Sequence, residues 1–497
     1  MESVPRIAAV LVLAVAAWLG PHVRHHVIHA IAFDDAVPVS SVRFPQPAGA
    51  GLAPADHVRV VLVDGLSAAN TADLPAWREL CDRGLTLTVD VGFPTVSLPV
   101  EVALWSGLTQ QQTGVVMRSD HPLVPPLAFG IPAKVPGSRA IAEDHGWIVR
   151  SLGFADVRPP ADPKDPAMVA DAEPAQWRTQ WLERAESAVA SDARLVFVHV
   201  LRVDTMGHRV GRASPAYAAT AGEADAILGT LVAAAPDARW FAISDHGHLD
   251  GGGHGGEERE LRRVQGCIAG PGIDRGHGGP VHVVDVARAI ADSVGVSLDA
   301  RSAARPLGAA LAAPFDDDRT VPALPLGTGA LAIFIIALGG AASYLAARRW
   351  WLWPWWLVVG CTSLVLVRGL PTLSMTMVFA PAGRAMYLTW LPSLAIAAVA
   401  TYAGLGRTSL GRTLVAQLAL PAAVLAATIT ACGAWRTMFG AAIAPVVPHY
   451  TAWLSALLLF TAHGAAAVAL GLLGRYGRSA FDRRARPETP QTASADA

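Results

Sequence analysis

Lysine is almost absent from this sequence: Lys134 and Lys164 are the only two. Arginine carries most of the positive charge, a compositional bias with no functional reading attached. Lys and Arg total 39 against 40 Asp and Glu, so the formal net charge is −1. A chain without basic excess has no bulk charge to set against phosphates, which excludes an ordinary nucleic-acid partner. Charged residues make up only 16% and hydrophobic ones 52%, too apolar for a soluble protein of 497 residues. Cysteine is scarce as well. Four cysteines make no disulfide framework, and none has zinc-type spacing. Cys361 and Cys432 lie in apolar runs. Cys81 and Cys267 could pair, but isolated buried thiols are the expectation for all four.

Acids are lacking where apolar runs are longest. The stretch 324–474 contains five candidate spans, about 324–347, 350–368, 385–405, 413–434 and 452–473, and no acidic residue lies inside them. A spanning helix needs roughly 20 mostly apolar residues. The Trp-rich patch Trp350–Trp356 resembles an interfacial aromatic belt. Ile7–Gly20 is a shorter run. Its Ala-x-Ala site, Ala14–Ala16, sits inside the apolar stretch, so an uncleaved anchor is expected rather than a signal peptide. Arginine falls mainly on one side of the spans. Arg348, Arg349, Arg407, Arg412, Arg475, Arg478, Arg483, Arg484 and Arg486 face Arg368, Arg384 and Arg436. The positive-inside rule then puts both termini in the cytoplasm and residues 56–312 outside it. The expected organisation is an anchor (1–22), a linker (23–55), a catalytic domain (56–312), a linker (313–323), a five-helix membrane domain (324–474) and a basic tail (475–497).

Residues 56–312 read as soluble. Val58–Val63, Leu195–Leu201 and Trp240–Ile243 are short apolar, β-branched or aromatic runs, the pattern of buried strands. Ala-rich stretches 175–191 and 216–234 read as helices. Strands alternating with helices predict an α/β domain with a mostly parallel sheet flanked by helices. Ligands gather beyond the carboxyl ends of such strands, and all three runs end near Asp64, Asp204 or Asp245–His246.

Three segments carry chemistry. Asp204-Thr-Met-Gly-His208 brings a carboxylate and an imidazole together after a strand. Ser244-Asp245-His246-Gly-His248-Leu-Asp250-Gly-Gly-Gly-His254 mixes hard oxygen and imidazole donors in a glycine-rich loop, a set that suits zinc, with manganese possible. Gly92-Phe-Pro94-Thr95-Val-Ser97-Leu-Pro99 precedes a helix-compatible run. A hydroxyl there would sit at a helix N-terminus, where backbone N–H groups favour an anion.

Together these motifs resemble the alkaline phosphatase superfamily, closest to its nucleotide pyrophosphatase/phosphodiesterase and GPI ethanolamine-phosphate transferase branches. The resemblance spans about 56–312, including Ala269–Ile273 and Val281–Ala287, similar to the family's late strand and terminal helix. It implies two zinc ions. One would be held by Asp64, Ser97, Asp245 and His246, the other by Asp204, His208 and His254. Ser97 fits the nucleophile of a Pro-Thr-x-[Ser/Thr]-x-Pro pattern, with Thr95 as runner-up. His248, His277 and His282 are the other candidates for the last histidine. Two departures matter. The family's phosphate-binding Asn has no counterpart in Thr113–Arg118, where Arg118 is the candidate substitute. Glu101 stands where a sulfatase maturation motif needs Arg.

The combination implies a membrane-bound phosphoryl-transfer enzyme that moves phosphoethanolamine or a related group from a lipid donor. A membrane-anchored phosphodiesterase is the alternative. A transporter or scaffold fits less well, because the spans lack acidic groups and the ligand set is complete. The expected partners are a phospholipid or phosphodiester substrate and membrane lipid.

Overall fold

The computed structural model describes residues 49–115, 125–158, 174–256, 258–316 and 326–347, with isolated positions elsewhere. Eight strands form one sheet. They are β1 (Val58–Val63), β2 (Leu85–Asp90), β3 (Arg139–Ala142), β4 (Asp156–Arg158), β5 (Leu195–Val200), β6 (Arg239–Ile243), β7 (Arg263–Ala269) and β8 (Gly276–His282). Their order is β4-β3-β5-β1-β6-β7-β2-β8. All pairings are parallel except the two made by β7, which runs against β6 and β2. The expected mostly parallel sheet is present, with one reversed strand.

β1 lies between β5 and β6, pairing Val58 with Leu195 on one side and Arg239 on the other. All six of its residues are buried, as a central parallel strand covered on both faces requires. Side chains alternate between two cores. Val58, Val60 and Leu62 join Trp105, Phe197 and Ile290 on one face. Val61 and Val63 join Trp77, Trp181, Tyr217 and Leu228 on the other. Helices Ser97–Ser106 and Val283–Val294 cover the first face; Pro75–Asp82, Pro174–Val189 and Pro215–Ala234 cover the second. Register therefore fixes which way every strand end points, and the carboxyl ends of β1, β5 and β6 fall side by side.

One expectation is corrected. Cys81 and Cys267 are joined in a disulfide, with Cα atoms 4.9 Å apart. Cys81 sits on the helix Pro75–Asp82 and Cys267 on β7, separated by 186 residues; the helix packing that joins them is invisible in sequence. Closing so long a loop restricts the unfolded chain, worth about 5 kcal/mol in the chain-entropy model. A Cys81→Ser, Cys267→Ser double variant is expected to lose stability of that order, read as a lower urea midpoint. Equal midpoints would show that the bond contributes nothing.

Among the described residues, one helix is long and apolar enough to cross a membrane, Leu326–Ala346. It matches the first expected span. The multi-span bundle is not shown: the anchor at 1–22 and the other four spans lie outside the described residues, isolated positions apart.

Candidate metal centre

The ends of β1 and β6 are tied together by side chains after β6 that accept from the backbone after β1. Asp245 Oδ1 accepts from the N–H of Gly65 at 3.0 Å and from that of His246 at 3.0 Å. Ser244 Oγ accepts from Leu66 N–H at 3.0 Å. With Oδ1 committed, Asp245 Oδ2 is left buried without a hydrogen-bond partner, 3.2 Å from His246 Nε2. The other nitrogen of His246, Nδ1, faces Gly247 O at 3.1 Å. That contact selects the tautomer with a proton on Nδ1 and an Nε2 lone pair turned inward. Asp64 Oδ1 lies 3.4 Å from the same Nε2.

Ser97 completes this group. It is the first residue of the helix Ser97–Ser106 and remains partly exposed. Its Oγ lies 3.4 Å from Asp64 Oδ1 and 3.4 Å from His246 Nε2. Thr95 is placed differently. It is fully buried, and its hydroxyl donates to Gly256 O at 2.8 Å while accepting from Gly255 N–H at 2.9 Å. The runner-up hydroxyl is spent on holding the glycine loop. Thr95 O in turn faces His254 Nδ1 at 2.8 Å, leaving His254 Nε2 for the site.

A second group adjoins the first. Asp204 and His208 lie on the helix Arg202–Val210, and the i,i+4 spacing puts them on one face. Asp204 Oδ1 is 3.4 Å from His208 Nε2, 3.0 Å from His248 Nε2 and 3.4 Å from His254 Nε2. His254 and His208 approach at 3.1 Å through Nε2, and the His246 and His254 rings stack at 3.7 Å. Two glycines permit this density. Gly65 has φ +72, and a Cβ there would come within 2.8 Å of the Asp204 backbone; a Cβ on Gly207 would meet His248 at 2.3 Å.

The electrostatics are those of a cation site. Burial, then the charges of Asp245 and Asp204, push the Asp64 carboxyl well above its usual range. Burial opposes ionisation of Asp204 too, but His208, His248 and His254 hold its carboxyl well below normal. Burial and the neighbouring His246 push the His254 imidazole down, so it is neutral and can donate a lone pair. Orphaned carboxylate oxygens and inward-facing imidazole nitrogens, spaced 3.0–3.4 Å apart, fit metal ligation. Asp64, Asp245 and His246 form one such group, and Asp204, His246, His248 and His254 another. The donor set resembles zinc chemistry, but it does not fix which ion is held.

The sequence-derived residues Asp64, Ser97, Asp204, His208, Asp245, His246 and His254 thus come together. His248, a reserve candidate, joins them. His277 is exposed on β8, and His282 caps the helix Val283–Val294 through Nδ1; neither reaches the site. Arg118 lies outside the described residues. Sequence reasoning missed Tyr217, whose hydroxyl donates to Gly65 O and accepts from Ser67 N–H at 2.9 Å. Burial pushes that hydroxyl up to about 12. Tyr217→Phe would strand both backbone groups. A loss of about 1–3 kcal/mol is expected, read as a lower urea midpoint, with weaker metal binding in competition with a chelator. Unchanged metal affinity would count against the loop's role in aligning ligands.

Sequence reasoning also passed over His199 and Glu101. A third group brings Glu101 and His199 to Asp64. The available signals were a histidine inside an apolar strand and an acid inside an apolar helix.

Residues 135–257 match the family model for type I phosphodiesterase / nucleotide pyrophosphatase. No curated protein matches the chain. Among solved structures, an inactive variant of murine ectonucleotide pyrophosphatase/phosphodiesterase 5 in complex with AMP is similar at 12% identity and a TM-score of 0.40, over 49% of this chain and 96% of that one. A phosphonate monoester hydrolase from Silicibacter pomeroyi is similar at 15% identity and a TM-score of 0.39, over 53% and 78%. A 2-O GAG sulfatase is similar at 15% identity and a TM-score of 0.40, over 52% and 74%.

Proposed function

We propose that this chain, which carries an enzyme domain of the alkaline phosphatase superfamily, is a membrane-bound two-zinc phosphoryl-transfer enzyme with Ser97 as its nucleophile. The observation that carries this reading is the position of Ser97 Oγ, partly exposed at a helix start and 3.4 Å from both Asp64 Oδ1 and His246 Nε2. Asp64, Asp245 and His246 would hold one ion beside it, and Asp204, His208 and His254 the other. Two ions in such a site supply stabilisation of negative charge on the reacting oxygens.

The chain's own groups do the rest. Ser97 Oγ gives up its proton and forms a bond to phosphorus as the P–O bond to the donor alcohol breaks. The departing alcohol takes up a proton. A second acceptor hydroxyl then forms the new P–O bond, and Oγ leaves to regain its proton. The amide N–H groups at the start of the helix Ser97–Ser106 favour the phosphoryl anion. Arg118 is the proposed partner for a further phosphate oxygen.

The proposed donor is a lipid, with phosphoethanolamine or a related group transferred. The apolar helix Leu326–Ala346 supports an enzyme working at a bilayer, as do the other four apolar runs. The Cys81–Cys267 bond supports an oxidising compartment, in accord with the arginine asymmetry that puts the domain outside the cytoplasm. A second reading, hydrolysis of phosphodiesters or nucleotides by an anchored enzyme, is favoured by the family match over 135–257.

One experiment separates them. Full-length, zinc-loaded protein in nanodiscs is given headgroup-labelled phosphatidylethanolamine and analysed by intact mass. A phosphoethanolamine-sized adduct on wild type, absent from Ser97→Ala, supports lipid-fed transfer. No adduct and no diacylglycerol, with rapid Ser97-dependent cleavage of a soluble phosphodiester, would sink the transferase reading and leave the phosphodiesterase.

A further inference from the structure

The helix Arg202–Val210 carries Asp204 and His208, yet its own sequence does little to start it. Leu201 stands at the cap position and makes no side-chain capping bond. The first helical residue is an arginine, a cation at the end where the helix dipole favours an anion. What fixes this corner comes from β3. Glu143 follows the last residue of that strand and is buried. Its N–H donates to His199 O at 2.9 Å, which continues the pairing of Ala142 with His199 and sets the side chain against the end of β5.

The Glu143 carboxylate is used on both oxygens. Oε2 accepts from the N–H groups of Leu201 at 2.9 Å and Arg202 at 3.1 Å. Oε1 accepts from Arg202 Nε at 2.8 Å and Nη2 at 2.7 Å. Arg202 Nη1 continues to Glu223, 2.9 Å away on the helix Pro215–Ala234. One buried group thus supplies the anion that the helix start lacks and answers the arginine beside it. Two residues further on, Asp204 Oδ1 lies 3.0–3.4 Å from three imidazoles. A comparable clamp exists where no ligand follows. Asp225 accepts from the N–H groups of Ala76 at 3.0 Å and Trp77 at 2.7 Å, at the start of the helix Pro75–Asp82.

We infer that Glu143 is a positioning residue for the ion assigned to Asp204, His208 and His254. It touches neither ion nor substrate. By fixing the corner between β5 and the helix Arg202–Val210, it aims the two ligands on that helix. The inference rests on the two-metal reading. Ligand geometry tolerates errors of only about 0.5 Å, and a helix released at its first turn would move Asp204 and His208 together. Losing a partner behind a metal ligand typically weakens metal binding about 10–100-fold. The ion assigned to Asp64, Asp245 and His246 hangs on the turns after β1 and β6, which Glu143 does not touch, so only one of the two affinities should respond.

The test resolves the two affinities. Full-length protein in nanodiscs is stripped, and Zn2+ is titrated back against a competing chelator. Glu143→Ala is expected to weaken one affinity by about 10–100-fold and leave the other as in wild type. Glu143→Asp, which keeps the charge but draws it back from the corner, should weaken the same affinity and serves if the alanine variant does not fold. Glu143→Gln keeps an oxygen for the two N–H groups and should recover most of the loss. Asp225→Ala removes the clamp that precedes no ligand. It should lower the melting temperature while both affinities stay as in wild type. In an Asp204→Asn background, adding Glu143→Ala should change neither affinity further. Wild-type affinities in folded Glu143→Ala or Glu143→Asp, or the same selective loss in Asp225→Ala, overturn the inference. Failure of the two-metal reading would look different: wild type would take up fewer than two ions, or Asp204→Asn would leave both affinities unchanged.

Discussion

Replacing Ser97 with alanine is expected to lower turnover by about 10⁴-fold or more, the order seen when a covalent nucleophile is removed. The fold should survive, because the Ser97 hydroxyl holds no backbone group in place. Its nearest partners are Asp64 Oδ1 and His246 Nε2 at 3.4 Å, and both keep other anchors. His246 retains its Nδ1 contact with Gly247 O. Thr95→Ser supplies the contrast. It preserves the hydroxyl that bonds Gly256 O and Gly255 N–H, so turnover should stay within a few-fold of wild type. Metal content, melting temperature and single-turnover rate should be measured together on both variants. If Ser97→Ala turned over at near wild-type rate while Thr95→Ser collapsed, the nucleophile would have to be reassigned.

That Ser97 lies 3.4 Å from both Asp64 and His246 shows where sequence was informative. β1, β5 and β6 are continuous apolar runs because both faces are covered, and such runs stand out from polar surroundings. A carboxylate follows each within four residues, Asp64, Asp204 and Asp245, and acids gathered at the ends of buried strands have few structural uses. The Asp204–His208 spacing needed only helical periodicity to be read as one face. Other features depend on partners distant in sequence. β7 lies between β6 and β2, and only that arrangement carries Cys267 beneath the helix bearing Cys81. Glu101 served in the sequence only as an argument against a sulfatase. Its neighbour His199, on a strand 98 positions away, comes to 3.2 Å only because the helix Ser97–Ser106 packs on the sheet. Tyr217 was hidden for a further reason. A tyrosine on an Ala-rich helix reads as packing, and only the turn after Asp64 shows that its hydroxyl is in use. Pairwise geometry across the sheet was the missing information, and local propensity does not carry it.

Chelation should separate the loaded and stripped proteins widely in melting temperature. An ion present at a thousandfold excess over its dissociation constant stabilises the fold by about 4 kcal/mol. For a domain of this size that is roughly 10 °C per ion. Stripped protein must also keep carboxylates buried beside one another, which is why burial and the charges of Asp245 and Asp204 push Asp64 up. A raised folded value means stability that is full below the unfolded value and lost as pH rises through the folded one. The stripped fold should therefore lose stability from Asp64 on the alkaline side of the usual carboxylate range. His254 works in the opposite direction. Burial and His246 depress it, so it favours the stripped fold as pH rises, but only until about 6.5, where the unfolded imidazole also becomes neutral. Above that point its contribution is constant. Loaded protein gains over the same interval, because ligands that have shed their protons bind ions more tightly. The gap between loaded and stripped melting temperatures should therefore widen as pH rises beyond the usual carboxylate range, most clearly above about 6.5 where the His254 contribution is constant, as followed by scanning calorimetry with and without chelator. A gap below about 2 °C would mean that Asp64, Asp204, Asp245 and their histidines hold no ion. A gap that is large but flat with pH would keep the ions and remove Asp64 as the group that answers them.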